Sequence, residues 1–237
     1  MNPSLSVFFP VLNEEGSVER LTTDLLPILR SRFDTFEIII VDDGSTDGTG
    51  KIADALEARH GGLVRVVHRQ RSSGYGNALK TGFAAARHDL VFYTDGDYQF
   101  DLNDLPRALD VSGDHDIVIG FREDRKDSRR RIFFSKSYNG LVRILFGLKF
   151  KDVDCSFKLF KRKALEAIPL CSDGYFIDTE ILVRAKRQGL KIKEIGVRHL
   201  PRSQGSSKVS WKHVFITLRE IRRFRIRLRA ESGKQRR

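Results

Sequence analysis

Cysteine, methionine and tryptophan are scarce in this chain of 237 residues, which contains two, one and one of them respectively. Two cysteines, Cys155 and Cys171, are too few for a disulfide framework, so we expect reduced thiols. No uninterrupted apolar run approaches the roughly 18 residues that a membrane-spanning helix requires. The first residues, MNPSLSVFFPVLNEE, lack the basic segment and the cleavage site of a signal peptide. These absences together predict a cytoplasmic protein.

Acidic residues are in the minority, because 43 Lys and Arg outnumber 31 Asp and Glu and give a formal net charge of +12. Such a charge indicates an anionic partner, and composition leaves nucleic acid, acidic lipid and a phosphorylated substrate open. The basic residues are concentrated near the C-terminus, where residues 219–237 hold nine Lys or Arg and two Glu. A solvated basic tail is the alternative interpretation of that run.

Short apolar runs alternate with segments of helical periodicity through the first half of the chain, and further strand candidates follow. This alternation predicts an α/β fold with a single, mainly parallel sheet that is covered by helices on both faces. In a doubly wound sheet of this kind, ligands bind at the carboxyl ends of the strands. The predicted strands are residues 6–12, 37–44, 64–69, 90–97, 116–122, 156–162 and 191–200.

Acidic and amide side chains follow three of these predicted strands. Random placement would scatter such groups, so their convergence on one edge of the sheet predicts an active site there. They are Asn13 and Glu14 after the first strand, Asp42 and Asp43 at the end of the second, and Asp95 and Asp97 at the end of the fourth.

The stretch TDGDYQ places Asp95 and Asp97 two residues apart, so in a strand both carboxylates would point the same way. Like charges repel phosphate, but the pair can hold Mg²⁺ or Mn²⁺, whose remaining positions phosphate oxygens fill. Gln99 continues the alternation and would offer an amide oxygen. An ordinary turn is the alternative interpretation of Asp-Gly-Asp taken alone.

Two later segments combine apolar and basic residues. Residues 132–148 are apolar apart from Lys136, Asn139 and Arg143. That pattern fits a buried core helix, or a membrane-interface helix beside the basic loop that precedes it. Apolar residues at helical spacing between Trp211 and Leu228 predict a basic amphipathic helix, although the stretch RFRIRLR alternates as a strand would.

Four motifs occur in a characteristic order: FFPVLNEEGSV, IIIVDDGSTDGT, GYGNALKTGF and TDGD. In their order and spacing they resemble the family 2 glycosyltransferases of the GT-A fold. The most similar subset is the polyprenyl-phosphate sugar transferases, such as dolichyl-phosphate mannosyltransferase. The resemblance covers roughly residues 6–210, so it implies a GT-A domain over residues 1–210 and a basic amphipathic segment over residues 211–237.

The resemblance implies a role for each residue of the acidic edge. Asp95 and Asp97 would hold the divalent cation against the diphosphate of a nucleotide sugar, with Gln99 matching a third ligand of related enzymes. The donor carries uracil or guanine, a choice that the motifs leave open. The residues implied in binding the nucleotide sugar are Pro10, Glu14, Asp42, Asp43 and Asp95.

The resemblance also assigns basic and polar residues to the acceptor and the diphosphate. They are Arg122, Arg131, Ser135, Arg202 and Lys208, and the register within SRRR leaves Arg130 as an alternative to Arg131. Asp178 falls where other GT-A enzymes have a catalytic base, so it joins Asp95, Asp97 and Arg122 as a candidate catalytic residue. One departure is Ser156, which replaces the usual glycine of the segment that DVDCSFKLFKR resembles.

The resemblance therefore predicts an inverting, metal-dependent transfer of sugar to a polyprenyl phosphate at the cytoplasmic membrane face. The protein would bind the membrane peripherally through residues 132–148 and the C-terminal helix, or dock a membrane subunit, with no nucleic acid involved. One alternative is a family 2 enzyme with a saccharide or other hydroxyl acceptor. The other is a non-catalytic basic module that binds membrane or nucleic acid.

Overall fold

A seven-stranded sheet in the order β3-β2-β1-β4-β6-β5-β7 forms the centre of the molecule in the computed structural model, which describes residues 3–201 and 211–234. Six strands run in one direction, and β6 runs antiparallel between β4 and β5. The prediction of seven strands in a single, mainly parallel sheet is confirmed. The strands are β1 (Leu5–Val11), β2 (Phe36–Asp42), β3 (Val64–His68), β4 (Leu90–Tyr93), β5 (Ile117–Glu123), β6 (Lys158–Lys161) and β7 (Ile192–Arg198).

Helices cover both faces of the sheet, as the alternation of strands and helices predicted. Those described are α1 (Val18–Arg30), α2 (Thr49–His60), α3 (Tyr75–Ala85), α4 (Leu105–Asp110), α5 (Arg129–Phe146), α6 (Arg162–Glu166), α7 (Ile177–Arg187) and α8 (Trp211–Lys234). Among the described residues, no helix combines the length and the apolar character needed to cross a membrane.

The core has two halves because successive side chains of a strand point to opposite faces. In β1, Val7 and Phe9 are buried on the face that α1, α2 and α4 cover. Phe8, between them, is buried on the face that α3, α5, α7 and α8 cover. Both faces of this strand are therefore dry, which explains its nearly continuous apolar sequence. Cys155 is buried, Cys171 is exposed, and both are free thiols.

Helix α8 is a single continuous helix, so the strand interpretation of RFRIRLR is wrong. Its inward residues Ile221, Phe224 and Leu228 are buried in the same core as α5 and α7. The ring of Phe224 lies 5.8 Å from that of Phe146 and 5.2 Å from that of Phe176, measured between centroids. The apolar stripe predicted for this helix thus packs against the body of the protein.

Helix α5 begins after Ser128, whose hydroxyl accepts a hydrogen bond from the backbone N–H of Arg131, and ends before Gly147 in the left-handed conformation. Its inner side contributes Val142, which is fully buried. Its outer side exposes 66% of Phe133 and 82% of Ile144. The helix therefore has one face in the core and leaves large apolar side chains on the other.

Candidate active site

The carboxyl ends of β1, β2 and β4 border a first cavity of about 660 Å³. The sequence predicted that polar residues from these strand ends converge, and the structure brings most of them to this cavity. Its lining includes Pro10, Glu14, Asp43, Asp95 and Asp97, together with Tyr75, Arg131 and Tyr175.

The two carboxylates of the Asp-Gly-Asp motif stand on a loop, because β4 ends at Tyr93 and not at residue 97 as predicted. A Cβ placed on Gly96 would lie 2.5 Å from the Val11 side chain, so the chain bends tightly around the end of β1. Tyr98 follows with a φ of +56°. The strand geometry that was expected to align Asp95 and Asp97 is therefore replaced by a loop.

Asp95 receives a hydrogen bond on each oxygen. The Tyr75 hydroxyl donates to Oδ1 at 2.8 Å, and the Ser156 hydroxyl donates to Oδ2 at 2.6 Å. Burial and then the negative charge of Asp97 raise the pKa of Asp95 to about 6, although the two hydroxyls oppose that rise. This carboxylate is thus held in one orientation, and a cation beside it would favour its ionised form.

Asp97 lines the first cavity, whereas Gln99 is buried with 5% exposure. The Gln99 backbone N–H donates to Asp97 Oδ1 at 3.3 Å, and its side-chain Nε2 donates to the Leu200 carbonyl at 3.4 Å. The amide nitrogen is thus committed to the chain that follows β7. The assignment of Gln99 as a third metal ligand stays a prediction.

The Asp95 and Asp97 pair suits a hard divalent cation because carboxylate oxygens are the ligands that Mg²⁺ and Mn²⁺ prefer. Within residues 3–201 and 211–234, no group of three or more His, Cys, Asp or Glu side chains is placed to hold an ion. A pair of carboxylates suits Mg²⁺, which one or two carboxylates hold while substrate phosphates and waters complete the octahedron. The residues present therefore fit a cation that is shared with a phosphorylated ligand.

The adjacent carboxylates Asp42 and Asp43 differ in their surroundings. Asp42 accepts hydrogen bonds from the Ser45 backbone N–H at 2.9 Å and contacts the His68 ring at 2.9 Å, so both its oxygens serve the local fold. Asp43 lines the first cavity, pairs with Arg69 and accepts from the Ser72 hydroxyl at 2.6 Å. Burial raises the pKa of Asp43 despite these partners. Of the two, Asp43 is the one placed to contact a ligand.

A second cavity of about 370 Å³ adjoins the first. Tyr75, Asp95, Arg131, Tyr175 and Thr217 line both, so the two cavities meet at Asp95. The remaining lining of the second cavity is part basic and part apolar. It consists of Arg122, Arg125, Phe134, Ser135, Ser137, Tyr138, Leu141, Asp154, Ser156, Asp178 and Leu218.

Carboxylates hold the arginines of the second cavity in place. Arg122 makes a bidentate pair with buried Asp152, at 2.6 Å from Nε to Oδ2 and 2.8 Å from Nη2 to Oδ1. Burial opposes the ionisation of Asp152, but the hydrogen bonds and charge of Arg122 lower its pKa. Asp127 accepts from Arg125 at 2.7 Å and pairs with Arg131 at 2.9 Å. These carboxylates thus fix the orientation of the guanidinium groups, because a bidentate pair forms in only one geometry.

Ser135, predicted to bind the acceptor, accepts a hydrogen bond from Arg125 Nη1 at 2.7 Å. His199 lies behind the same arginines, where burial and the arginine charges lower its pKa to about 4, against the opposing charge of Asp127. The histidine is therefore neutral near pH 7, and the positive charge of this region resides on the guanidinium groups.

Asp178 lines the second cavity but is tied to the core. Lys158, which is fully buried, donates from Nζ to Asp178 Oδ1 at 2.5 Å, and the Tyr93 hydroxyl donates to the same oxygen. Lys158 also donates to the Cys155 carbonyl at 2.6 Å. One oxygen of this carboxylate is therefore already occupied by two donors from the core.

The sequence did not point to five residues that the structure places at the site: Tyr75, Arg125, Asp154, Lys158 and Ser156 as a hydroxyl donor. The charged residues Arg125, Asp154 and Lys158 carry no signal in the sequence, because charged side chains are ordinarily exposed. The predicted phosphate-binding residues Arg202 and Lys208 lie outside the described residues.

The mainly parallel sheet thus has a carboxylate pair after its fourth strand, a cavity at that edge and an antiparallel β6. A family model described as "Glycosyl transferase family 2" matches residues 6–169. The chain therefore belongs to glycosyl transferase family 2, as the four motifs predicted.

Curated relatives include polyprenyl-phosphate sugar transferases. The chain is 36% identical over 215 residues to glycosyltransferase AglD of Haloferax volcanii, covering 86% of this chain and 34% of that protein. It is 33% identical to an undecaprenyl-phosphate 4-deoxy-4-formamido-L-arabinose transferase of Pseudomonas paraeruginosa, covering 87% and 60%. It is 31% identical to the dodecaprenyl-phosphate galacturonate synthase of Rhizobium johnstonii, covering 92% and 65%. The chain thus spans between one third and two thirds of these relatives.

Solved structures share the fold. The glucosyl-3-phosphoglycerate synthase of Mycobacterium tuberculosis, in complex with Mn²⁺ and uridine-diphosphate-glucose, superposes with a TM-score of 0.71 at 23% identity, covering 92% of this chain and 79% of that one. The same enzyme with Mg²⁺ and uridine-diphosphate gives a TM-score of 0.68 at 20% identity. These similarities confirm the predicted GT-A fold.

Proposed function

We propose that this chain transfers a sugar from a nucleoside diphosphate sugar to a polyprenyl phosphate, with inversion at the anomeric carbon. The observation that carries the proposal is the meeting of two cavities at Asp95, one bordered by the strand ends and one lined by arginines and apolar side chains. Two different ligands in these cavities would face each other across one carboxylate.

The first cavity would take the donor. Asp43 is placed for the nucleoside, and Asp95 with Asp97 would hold Mg²⁺ or Mn²⁺ on the diphosphate. That cation would stabilise the negative charge of the departing nucleoside diphosphate. This assignment agrees with the solved glucosyl-3-phosphoglycerate synthase of the same fold, which is in complex with Mn²⁺ and uridine-diphosphate-glucose.

The second cavity would take the acceptor. Arg122, Arg125 and Arg131 suit a phosphate, and the apolar side chains Phe134 and Leu218 at the same cavity suit a hydrocarbon chain. The acceptor oxygen would bond to the anomeric carbon as the bond from that carbon to the diphosphate oxygen breaks. One in-line displacement of this kind inverts the configuration.

The environment of Asp178 favours a phosphate acceptor over a hydroxyl. A phosphate oxygen is already anionic near neutral pH, whereas a hydroxyl needs a base within hydrogen-bond reach. Asp178 was the predicted base, yet Lys158 and Tyr93 both bind its Oδ1. We infer that Asp178 serves the electrostatics of the site, and that the acceptor brings its own charge.

Peripheral membrane association at the cytoplasmic face is part of the proposal. Helices α5 and α8 flank the second cavity, and their outer sides expose Phe133, Ile144 and Ile226. Exposed arginines such as Arg222 and Arg227 share α8 with them. Apolar side chains interleaved with arginine suit an anionic lipid surface, and docking to a membrane subunit is the alternative.

Transfer of radiolabelled sugar tests the function directly. Purified protein would be given UDP-sugars and GDP-sugars with Mn²⁺ and either a short-chain polyprenyl phosphate or a saccharide. We expect a lipid-extractable product with the phosphate acceptor and none after Asp95→Asn. Thermal shifts with UDP and GDP identify the base, because a ligand that binds only the folded state raises Tm. Absence of transfer from every donor would contradict the proposal.

A hydroxyl acceptor is the second candidate, and Asp154 is the observation that favours it. Asp154 lines the second cavity, and burial with the charges of Asp152 and Asp178 raises its pKa to about 7. A carboxylate with such a pKa suits a general base near neutral pH. Transfer to a saccharide that Asp154→Asn abolishes would favour this candidate. Transfer of either kind would exclude a non-catalytic basic module.

A further inference from the structure

Ser156 reaches Asp95 because of the strand order. Strand β6 runs antiparallel beside β4, with Tyr93 opposite Lys158. Asp95 lies two residues after the end of β4 and Ser156 two residues before the start of β6, so the two residues face each other just beyond the paired strands. Ser156 is a buried residue with 6% exposure, and its hydroxyl donates to Asp95 Oδ2 at 2.6 Å.

Tyr75 holds the other oxygen of the same carboxylate. It is the first residue of α3, and its ring stacks on that of Tyr175 with centroids 5.4 Å apart and planes 23° apart. A Cβ on Gly74 would lie 2.4 Å from the Asp173 carbonyl oxygen, so the two backbone segments are in close contact there. The phenol that donates to Asp95 Oδ1 is therefore itself fixed by packing.

We propose that Ser156 is a positioning residue which, together with Tyr75, fixes the Asp95 carboxylate for the divalent cation. A carboxylate has about four lone-pair sites, so one hydrogen bond on each oxygen leaves sites for a cation while preventing rotation of the group. Partners that orient a ligand in this way commonly change metal affinity by 10- to 100-fold. The inference rests on the proposed function, because it takes Asp95 as a cation ligand.

Ser156 stands where the pattern that this segment resembles has glycine, which offers no hydroxyl. The competing explanation is that the serine only satisfies a half-buried carboxylate. In that case its removal would change stability and leave the affinity for the cation unaltered. The hydroxyl and the volume of the side chain are separable, since Ser156→Ala and Ser156→Gly remove the hydroxyl and Ser156→Thr retains it.

The experiment measures the affinity for Mn²⁺ by electron paramagnetic resonance in the presence of UDP, with a parallel series in GDP. The variants are Ser156→Ala, Ser156→Gly, Ser156→Thr and Tyr75→Phe, and Asp95→Asn serves as the reference for loss of the ligand. Ser112→Ala is the matched control, because its hydroxyl bonds the Leu109 carbonyl at 2.7 Å outside both cavities. Thermal denaturation of each variant reports folding.

We expect Ser156→Ala and Ser156→Gly to weaken Mn²⁺ affinity about 10-fold, with Ser156→Thr and Ser112→Ala within about twofold of the wild type. Tyr75→Phe should weaken it by a similar factor. An affinity of Ser156→Ala within twofold of the wild type would overturn the inference and leave the proposed function intact. So would an equal loss in Ser156→Thr, which retains the hydroxyl. A wild type that binds no Mn²⁺ with either nucleotide would overturn both.

Discussion

The carboxyl of Asp154 should make the protein less stable as the pH rises, and Asp154→Asn should remove that effect. Burial is the main cause that raises its pKa from 3.8 to about 7, followed by the charges of Asp152 and Asp178, while Arg122 and Lys158 oppose the rise. The unfolded chain ionises this group near pH 4, whereas the folded protein keeps it protonated to about pH 7. Between those values the folded state binds the extra proton, so stability falls with rising pH.

The magnitude follows from the size of the shift. One pKa unit corresponds to about 1.4 kcal/mol, so a shift of roughly three units corresponds to about 4 kcal/mol. The full penalty applies above pH 7, where Asp154 is ionised in both states, and it disappears below pH 4. Asparagine keeps the shape of the side chain and cannot ionise. The variant should therefore gain about 4 kcal/mol relative to the wild type between pH 4 and pH 8.

Urea denaturation across that pH range measures the difference. Titrating groups that do not interact with Asp154 affect wild type and variant alike, so the change in the stability difference reports Asp154 and the charges coupled to it. Asp110→Asn is the matched control, because Asp110 is exposed and pairs with Arg32 at the surface at 2.8 Å. Its profile should run parallel to that of the wild type. Parallel profiles for Asp154→Asn as well would refute the assignment of a buried, protonated carboxyl in the second cavity.

Three further outcomes are expected. Lys158→Met leaves Asp178 buried without a counter-charge and should lower the free energy of unfolding by about 3–5 kcal/mol, measured by urea denaturation. The double variant with Asp178→Leu should recover part of this loss. Equal losses in the single and the double variant would contradict the pairing. By calorimetry, Asp43→Asn should weaken nucleoside diphosphate binding and Asp42→Asn should mainly lower Tm, and the reverse order would refute our separation of the two. Phe133→Ser should reduce the salt-sensitive flotation of the protein with anionic vesicles, whereas substitution of Arg59 on α2 should not. Unchanged flotation of Phe133→Ser would count against the proposed membrane surface.

The fold could be predicted from the sequence because each strand is a short apolar run, and both faces of the sheet are dry. The ends of the strands were harder. The run from Leu90 suggested a strand to residue 97, but β4 stops at Tyr93 and the chain then bends tightly at Gly96 around the end of β1. Periodicity reports burial, and it does not report where a neighbouring strand ends. The sequence therefore predicted the correct edge of the sheet for the carboxylates, but a strand in place of the loop that carries them.

The supporting residues of the site depend on strand order, which the alternation of strands and helices does not specify. The antiparallel β6 sits between β4 and β5, and this insertion brings Ser156 to Asp95 and Lys158 to Asp178. In the sequence, Lys158 looks like an outward residue of the stretch SFKLFKR. Its burial becomes intelligible only when the Asp178 carboxylate from α7 is seen beside it.

The charge of the site differs from that of the whole chain, and this difference supports the cation of the proposed function. Among the described residues that line the first cavity there are six carboxylates and one arginine, and the second cavity has three of each. Arg122 and Arg125 are further paired with Asp152 and Asp127. The net charge of +12 thus does little to neutralise a diphosphate at the strand ends. A divalent cation beside Asp95 would add two positive charges to the first cavity, which would then favour the diphosphate of the donor. The arginines of the second cavity would then be available to bind the phosphate of the acceptor.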